Sequence, residues 1–169
     1  MPIKLLVLDV DGTLTDGGLY LDSTGNEMKK FSVKDGAGLV LARTAGIKTM
    51  ILTGRESEPV TRRAKELHLD YVIQNCKQKQ IFLAEFMAEH GLSKEEVAYV
   101  GDDWIDLAAM ELCGFVACPC DAVTEVLNRA DYICPHAGGF GAVRDAVVFL
   151  LRRAGLFEKA LKDAFSVEL

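Results

Sequence analysis

The segment "LLVLDVDGTLTDGG" (Leu5–Gly18) decides the fold. Its apolar run climbs to Asp9 and then turns at once to acid, glycine and threonine. A continuous apolar run of strand length, bounded by turn residues, indicates a strand buried on both faces of a sheet. Because Asp and Gly are also ordinary turn residues, Asp9 and Asp11 have a structural explanation beside a chemical one. The rest of the chain decides between them.

Apolar runs of strand length alternate with segments of helical period along the chain. This alternation predicts an α/β fold, a Rossmann-like parallel sheet with helices on both faces. The predicted strands are Ile3–Val10, Ile47–Leu52, Asp70–Ile73, Val97–Val100, Phe115–Ala117 and Tyr132–Cys134. The predicted helices are Gly36–Ala45, Glu58–Leu67, Gln80–His90, Trp104–Leu112, Ala122–Asn128, Ala142–Arg153 and Leu156–Phe165. We expect residues 1–169 to form one domain.

One segment interrupts the alternation. Leu19–Leu21 and Glu27–Val33 flank the turn-rich sequence "DSTGN", which indicates a β-hairpin over about residues 17–34. Such a hairpin cannot be part of a strand–helix–strand unit. A two-stranded ribbon with free edges is marginal by itself and invites pairing with other copies of the chain.

Composition excludes several partners. The 169-residue chain has a formal net charge of −6, and its basic pairs are short and scattered. This argues against a surface for nucleic acid or anionic membrane. No apolar run approaches the ~20 residues that cross a bilayer, and no charged-then-apolar leader precedes the first strand. We expect a cytoplasmic protein.

The five cysteines are interpreted as reduced thiols, because they form an odd set without an export signal. Four of them crowd with a histidine, which raises the alternative of a zinc site: Cys113, Cys118, Cys120, Cys134 and His136. No C-x-x-C knuckle occurs among them, and their segments have strand and helix character. Core cysteines are the favoured interpretation.

Polar residues follow the predicted strands where each one stops. They are Asp9 and Asp11 after the first strand, Thr53, Gly54 and Arg55 after the second, Lys77 and Lys79 after the third, and Asp102, Asp103 and Asp106 after the fourth. Ligands of an open parallel sheet bind outside the carboxyl ends of its strands. Each group alone could be a turn, a helix cap or a solvated side chain, but together they converge on one edge.

Five carboxylates gathered at one edge would raise one another's pKa values unless a cation balanced them. Oxygen ligands without an accompanying cluster of His or Cys suit Mg²⁺. A hydroxyl at Thr53 and a cation at Lys79 add a site for a phosphoryl group, whose transfer needs positioning and charge neutralisation. Asp9 and Asp11 are therefore interpreted as reactive groups of an active site rather than as turn residues.

Four motifs now resemble those of the haloacid dehalogenase superfamily of phosphatases: "DVDGTLTDGG", "TGR", Lys79 and "GDDWID". The resemblance implies that Asp9 is the nucleophile and that Asp11 is the general acid and base. It further implies that substrate is held by Thr53, Gly54, Arg55 and Lys79. Lys77 is the alternative for the lysine.

The same resemblance implies a ligand set for Mg²⁺. Asp9, the backbone carbonyl of Asp11 and Asp102 would bind the ion. Asp103 or Asp106 would act through water or orient these ligands, and the division of roles between the last two stays open.

A finer resemblance concerns the missing cap domain. Between Asp9 and Thr53 the chain has room only for the hairpin and one helix. The segments "DGGLYLDSTGNEMKKFSVKDGAG", "TGRES", "GDDWIDLAAM" and "GGFGAVRD" resemble the capless phosphatases that act on 3-deoxy-D-manno-octulosonate 8-phosphate (KDO 8-phosphate). Asn75 stands where that group has Gly, and Thr13 where Val is more usual.

That group implies a Mg²⁺-dependent phosphatase working through an aspartyl-phosphate, assembled as a homotetramer through its hairpins. Arg55 would meet the carboxylate of the sugar acid, with Arg144 and Lys34-Asp35 as weaker candidates. Three alternatives stay open: a phosphatase for a nine-carbon sialic-acid-type 9-phosphate, a phosphoprotein phosphatase, and a non-catalytic oligomerisation module.

Overall fold

The computed structural model describes residues 3–168. Its strands are β1 (Leu5–Leu8), β2 (Tyr20–Leu21), β3 (Glu27–Met28), β4 (Lys48–Leu52), β5 (Tyr71–Ile73), β6 (Val97–Val100), β7 (Phe115–Cys118) and β8 (Tyr132–Ile133). Six of them form one parallel sheet in the order β5-β4-β1-β6-β7-β8. The first strand of the chain therefore lies in the interior of the sheet, with β4 on one side and β6 on the other.

In the part of the chain that the structure describes, seven α-helices connect and cover these strands. They are α1 (Val33–Thr44), α2 (Glu58–Glu66), α3 (Lys79–Glu89), α4 (Trp104–Met110), α5 (Thr124–Arg129), α6 (Ala142–Arg153) and α7 (Phe157–Phe165). No helix in the described part of the chain is long and apolar enough to cross a bilayer.

Both faces of the sheet are buried, as the continuous apolar strands predict. Along β1, Leu6 and Leu8 join the core formed with α1, α2, α6 and α7. Leu5 and Val7 point to the other face and join the core formed with α3, α4 and α5. The alternation follows from the two-residue repeat of a strand. The Rossmann-like sheet with helices on both faces is thus confirmed.

The hairpin is shorter than predicted. β2 and β3 pair over two residues each, and the second strand ends at Met28 rather than at Val33. Phe31 makes only an isolated bridge to Thr15. The Ser32 hydroxyl accepts the Lys34 N–H at 3.2 Å and so starts α1 at Val33, inside the predicted second strand and three residues before the predicted Gly36.

Three of the cysteines lie in the core as predicted: Cys113, Cys118 and Cys134. Burial raises the pKa of Cys113 to about 12, so this thiol stays protonated at neutral pH. Cys120 is exposed and Cys76 is half-buried. Among residues 3–168, the side-chain group that could hold a metal consists of aspartates and includes none of the cysteines.

Candidate active site

Three neighbouring strands deliver the predicted residues to one edge of the sheet. The register places Leu8 of β1 beside Ile51 of β4 and Val100 of β6. The residues that follow these strands therefore leave the sheet at the same level. Asp9 continues the pairing, because its N–H donates to the Val100 carbonyl at 2.9 Å. Within residues 3–168, the chain between β1 and β4 forms the hairpin and α1 and no cap domain.

Lys79 reaches the nucleophile candidate. It is the first residue of α3, and its Nζ donates to Asp9 Oδ1 at 2.6 Å and to Asp106 Oδ1 at 2.7 Å. Its side chain is 1% exposed. Lys77, the alternative, instead contacts the carbonyl of Gly54. The geometry therefore favours Lys79 as the lysine that neutralises Asp9.

Asp106 accepts hydrogen bonds from four groups around it. Its Oδ1 accepts from Lys79 and from the Tyr99 hydroxyl at 2.7 Å each. Its Oδ2 accepts the backbone N–H groups of Asp102 and Asp103 at 3.2 and 3.3 Å. Both oxygens are thus engaged by donors, and the side chain is fully buried. This arrangement suits an orienting role better than direct contact with a metal.

Asp103 has a different position from Asp106. It is exposed and is the N-cap of α4, accepting the Trp104 N–H at 2.7 Å. A carboxylate at this position satisfies an otherwise unpaired backbone donor and interacts favourably with the helix dipole. The sequence left open how roles divide between Asp103 and Asp106. In the structure, Asp103 caps α4 and Asp106 is the buried acceptor of four hydrogen bonds.

The loop after β1 lies very close to the Asp102 side chain. Gly12 has φ +92°, and a Cβ placed on it would stand 2.1 Å from Asp102 Oδ2. Only glycine permits this approach, since it combines a positive φ with the lack of a side chain. Beside it, the Thr13 hydroxyl donates to Asp102 Oδ1 at 2.8 Å. The departure from Val at this position therefore adds a hydrogen bond to a predicted metal ligand.

The acidic cluster has the charge and the donor atoms that Mg²⁺ requires. Oxygens of Asp9, Asp102 and Asp106 lie within 4.8 Å of one another. Three carboxylates against the single ammonium of Lys79 leave a formal charge of −2, which a divalent cation would balance. Hard carboxylate oxygens are the donors that Mg²⁺ prefers. The residues present fit the ion.

Burial and mutual repulsion raise the pKa values of Asp9 and Asp102. Burial, with the Asp106 carboxylate next in importance, raises the pKa of Asp9 to about 7 despite the opposing effect of Lys79. Burial and the Asp9 carboxylate raise the pKa of Asp102 to about 8, although the Thr13 hydrogen bond lowers it. Burial alone would lower the pKa of Lys79, but Asp9 and Asp106 raise it. A cation would remove the repulsion that keeps protons on the acids.

The second motif lies at the end of β4. Thr53 is buried and its N–H donates to the Ile73 carbonyl at 3.0 Å. Gly54 follows it, and Arg55 extends to the hairpin, where its Nη2 donates to Glu27 Oε1 at 2.9 Å. The Arg55 side chain is 41% exposed. Its guanidinium therefore remains accessible to a ligand.

The hairpin also supplies a lysine that the sequence interpretation missed. The side chain of Lys29 is buried, with 1% exposed, and its Nζ contacts Asp11 Oδ1. It also lies 3.1 Å from Glu27 Oε1. Tyr99 was missed as well, although a hydroxyl inside the apolar strand "VAYV" is the kind of signal that could have revealed it.

Asp35, one of the weaker candidates, makes a structural contact, and the backbone of Asn75 accounts for a departure from the resembled group. Asp35 is buried on α1 and accepts the Arg144 backbone N–H at 3.0 Å, which ties α1 to the start of α6. Asn75 has φ +55°, a conformation that Asn tolerates better than most residues. This explains how Asn can replace the Gly of the resembled group.

The comparisons with known proteins identify the family of this chain. Residues 26–114 match the haloacid dehalogenase-like hydrolases, and the chain belongs to this family. It is 40% identical over 158 residues to the 3-deoxy-D-manno-octulosonate 8-phosphate phosphatase KdsC of Escherichia coli strain K12, covering 94% of this chain and 84% of that protein. The Haemophilus influenzae KdsC is 35% identical over 153 residues, covering 90% and 85%.

Solved structures give the same result. The 3-deoxy-D-manno-octulosonate 8-phosphate phosphatase of Moraxella catarrhalis, crystallised with magnesium, phosphate and KDO, superposes with a TM-score of 0.91 at 37% identity, covering 95% of this chain and 92% of that one. A putative haloacid dehalogenase hydrolase of subfamily III A from Legionella pneumophila has a TM-score of 0.93 at 35% identity, covering 98% and 91%.

Proposed function

We propose that this chain is a magnesium-dependent phosphatase that hydrolyses KDO 8-phosphate to KDO and phosphate. The observation that carries the proposal is the convergence of Asp9, Lys79 and Asp102 at one edge of the sheet. That convergence occurs in a chain similar over nearly its whole length to enzymes named for this reaction.

The reaction would proceed in two displacements at phosphorus. In the first, the Asp9 carboxylate attacks phosphorus, the bond to the sugar oxygen breaks, and Asp11 gives that oxygen a proton. The product on the protein is an aspartyl-phosphate at Asp9. In the second, water attacks this phosphorus while Asp11 takes its proton. Phosphate then leaves, and both carboxyls return to their starting states.

The phosphate would be held by groups at the ends of β4 and the start of α3. Thr53 offers its hydroxyl, Gly54 its backbone, and Lys79 its ammonium group. Asp106 acts through Lys79, because it fixes the ammonium at 2.7 Å. Preorganised donors of this kind stabilise developing charge without reorganising during the reaction.

Mg²⁺ would be bound by Asp9, the Asp11 carbonyl and Asp102, with Asp106 orienting the backbone of Asp102. Asp103 would cap α4 rather than bind the ion. When bound, the ion neutralises charge on the phosphoryl oxygens. The accessible guanidinium of Arg55 would bind the substrate carboxylate, since Arg matches carboxylate geometry.

We further propose that the chain assembles as a homotetramer through its hairpins. The hairpin presents apolar side chains to solvent, with Leu19 59%, Leu21 63% and Met28 62% exposed. Contiguous exposed apolar residues mark interaction surfaces. Sedimentation of the native protein would give the mass of four chains, and Leu21→Asp would reduce it; a native monomer at assay concentrations contradicts this assembly. The cytoplasmic location stays a prediction.

The test of function is phosphate release from a panel containing KDO 8-phosphate, sialic-acid-type 9-phosphates and a phosphopeptide, with Mg²⁺ and with chelator. We expect Mg²⁺-dependent turnover of KDO 8-phosphate, lost in Asp9→Asn and kept in Asp163→Asn, a control on the exposed surface of α7. Preference for a nine-carbon phosphate would change the substrate but keep the chemistry. No turnover of any panel member would overturn the proposal.

A further inference from the structure

The inner edge of the hairpin carries charge where a buried face would ordinarily be apolar. Glu27 and Lys29 turn inward, with side chains 15% and 1% exposed, whereas Met28 between them is 62% exposed. A lysine is almost never fully buried unless it is paired. The two-residue alternation thus directs one acid and one base toward the candidate active site.

Glu27 joins two cations through one atom. Its Oε1 lies 3.1 Å from Lys29 Nζ and 2.9 Å from Arg55 Nη2. Lys29 in turn contacts Asp11 Oδ1. The four side chains form a continuous chain of contacts in the order Asp11, Lys29, Glu27, Arg55.

This chain of contacts connects the two ends of the proposed substrate site. Asp11 would serve the oxygen that leaves phosphorus, and Arg55 would bind the carboxylate at the other end of the sugar acid. We propose that Glu27 is a positioning residue that fixes Arg55 relative to Asp11, so that the site selects substrates by the separation of their phosphate and carboxylate groups. The inference deepens the proposed function and rests on it.

The hairpin could not hold this geometry by its backbone alone. β2 and β3 pair over only two residues each, and a hairpin of this size is marginal in water. Side-chain contacts to the body of the protein therefore help to set where it lies. Glu27 supplies one to Arg55, and Lys30 supplies another, with Nζ 3.1 Å from the centre of the Phe140 ring.

The experiment measures kcat and KM for native protein, Glu27→Gln, Arg55→Met and the double variant. Each is assayed on KDO 8-phosphate and on 4-nitrophenyl phosphate, which lacks a carboxylate. We expect Glu27→Gln to lower kcat/KM for KDO 8-phosphate by roughly 10- to 100-fold, the size of one charge-assisted hydrogen bond. For 4-nitrophenyl phosphate it changes by less than about threefold. In the Arg55→Met background, Glu27→Gln has no further effect on either substrate.

Asp22→Asn is the matched control on the same hairpin. Asp22 stabilises the turn, accepting from Thr24 and Asn26, and touches neither Arg55 nor Lys29 in the described contacts. We expect Asp22→Asn to change kcat/KM by the same factor for both substrates. Sedimentation of every variant checks that assembly is unchanged.

Four results would overturn the inference. An equal loss on both substrates assigns Glu27 a purely structural role. A higher kcat/KM of Glu27→Gln for KDO 8-phosphate would mean that Glu27 competes with the substrate for Arg55. Additive losses of kcat/KM in the double variant would mean that Glu27 and Arg55 act independently. If native protein hydrolyses KDO 8-phosphate and Glu27→Gln matches it, the inference alone fails. If native protein does not hydrolyse it, the proposed function fails first.

Discussion

Replacing Gly12 by alanine tests how closely the loop after β1 approaches the proposed metal ligand Asp102. The new Cβ would stand 2.1 Å from Asp102 Oδ2, whereas ordinary van der Waals contact begins at 3.4 Å. The carboxylate must therefore move by about 1.3 Å. Because it ends a rotatable side chain, it can move without unfolding the protein.

A displacement of this size removes Asp102 from a productive metal site. A misplacement of about 1 Å costs about 100-fold in rate, so we expect Gly12→Ala to lower phosphate release about 100-fold at fixed Mg²⁺. The Mg²⁺ concentration for half-maximal rate should rise, and calorimetry should show weaker Mg²⁺ binding. Alanine at positive φ also costs about 1–2 kcal/mol, or about 2–8 °C in Tm for a chain of this size.

Gly46→Ala separates backbone strain from the clash. Gly46 follows α1 with φ +85°, close to the +92° of Gly12, and nothing lies within 4 Å of its Cβ position. We expect this variant to lose similar stability and keep native turnover and Mg²⁺ binding. The reasoning is refuted if Gly12→Ala keeps native Mg²⁺ dependence, or if Gly46→Ala loses the same activity.

Three further predictions concern the buried acids. Asp106→Asn should lower the free energy of unfolding more than Tyr99→Phe does, because it weakens the acceptor of four donors, whereas Tyr99→Phe removes one hydrogen bond to a charged group and costs about 1.5–3 kcal/mol; urea unfolding measures both, and equal losses would contradict this ranking. Thr13→Val should weaken Mg²⁺ binding at pH 7 by calorimetry, because the lost hydrogen bond favours protonated Asp102; unchanged affinity would count against it. In chelator, the folded protein keeps protons on Asp9 and Asp102 up to about pH 7 and about pH 8, whereas the unfolded chain releases them near pH 3.8. Tm in chelator should therefore fall as pH rises through this window, and Mg²⁺ should restore Tm at pH 8.5. A Tm that rises with pH in chelator would refute the raised pKa values.

The sheet could be predicted because its strands are unambiguous. A strand such as Val97–Val100 is apolar throughout, so its bounds agree between sequence and structure. The start of α1 was wrong by three residues, because Ser32 was not recognised as its N-cap. The distinction between Asp103 and Asp106 could have been foreseen, since acids three residues apart at a helix start form a capping box.

The contacts of the hairpin could not be predicted from the sequence. The pairing of Lys29 with Asp11 depends on how a short ribbon folds back, and no local pattern encodes the angle of that return. Long side chains also choose among several partners of similar energy. Strand ends thus predict which residues meet at the sheet edge, but not which ion pairs they form there.

The position of β1 inside the sheet has a consequence for biosynthesis. The ribosome makes this strand first, but its neighbour β6 begins only at Val97. A nascent chain therefore carries Asp9 without the hydroxyl and the acid that complete the cluster until Tyr99 and Asp106 have been made. One edge of β1 stays unpaired until then, which exposes the growing chain to aggregation. The metal can stabilise only a polypeptide that has been made at least as far as Asp106.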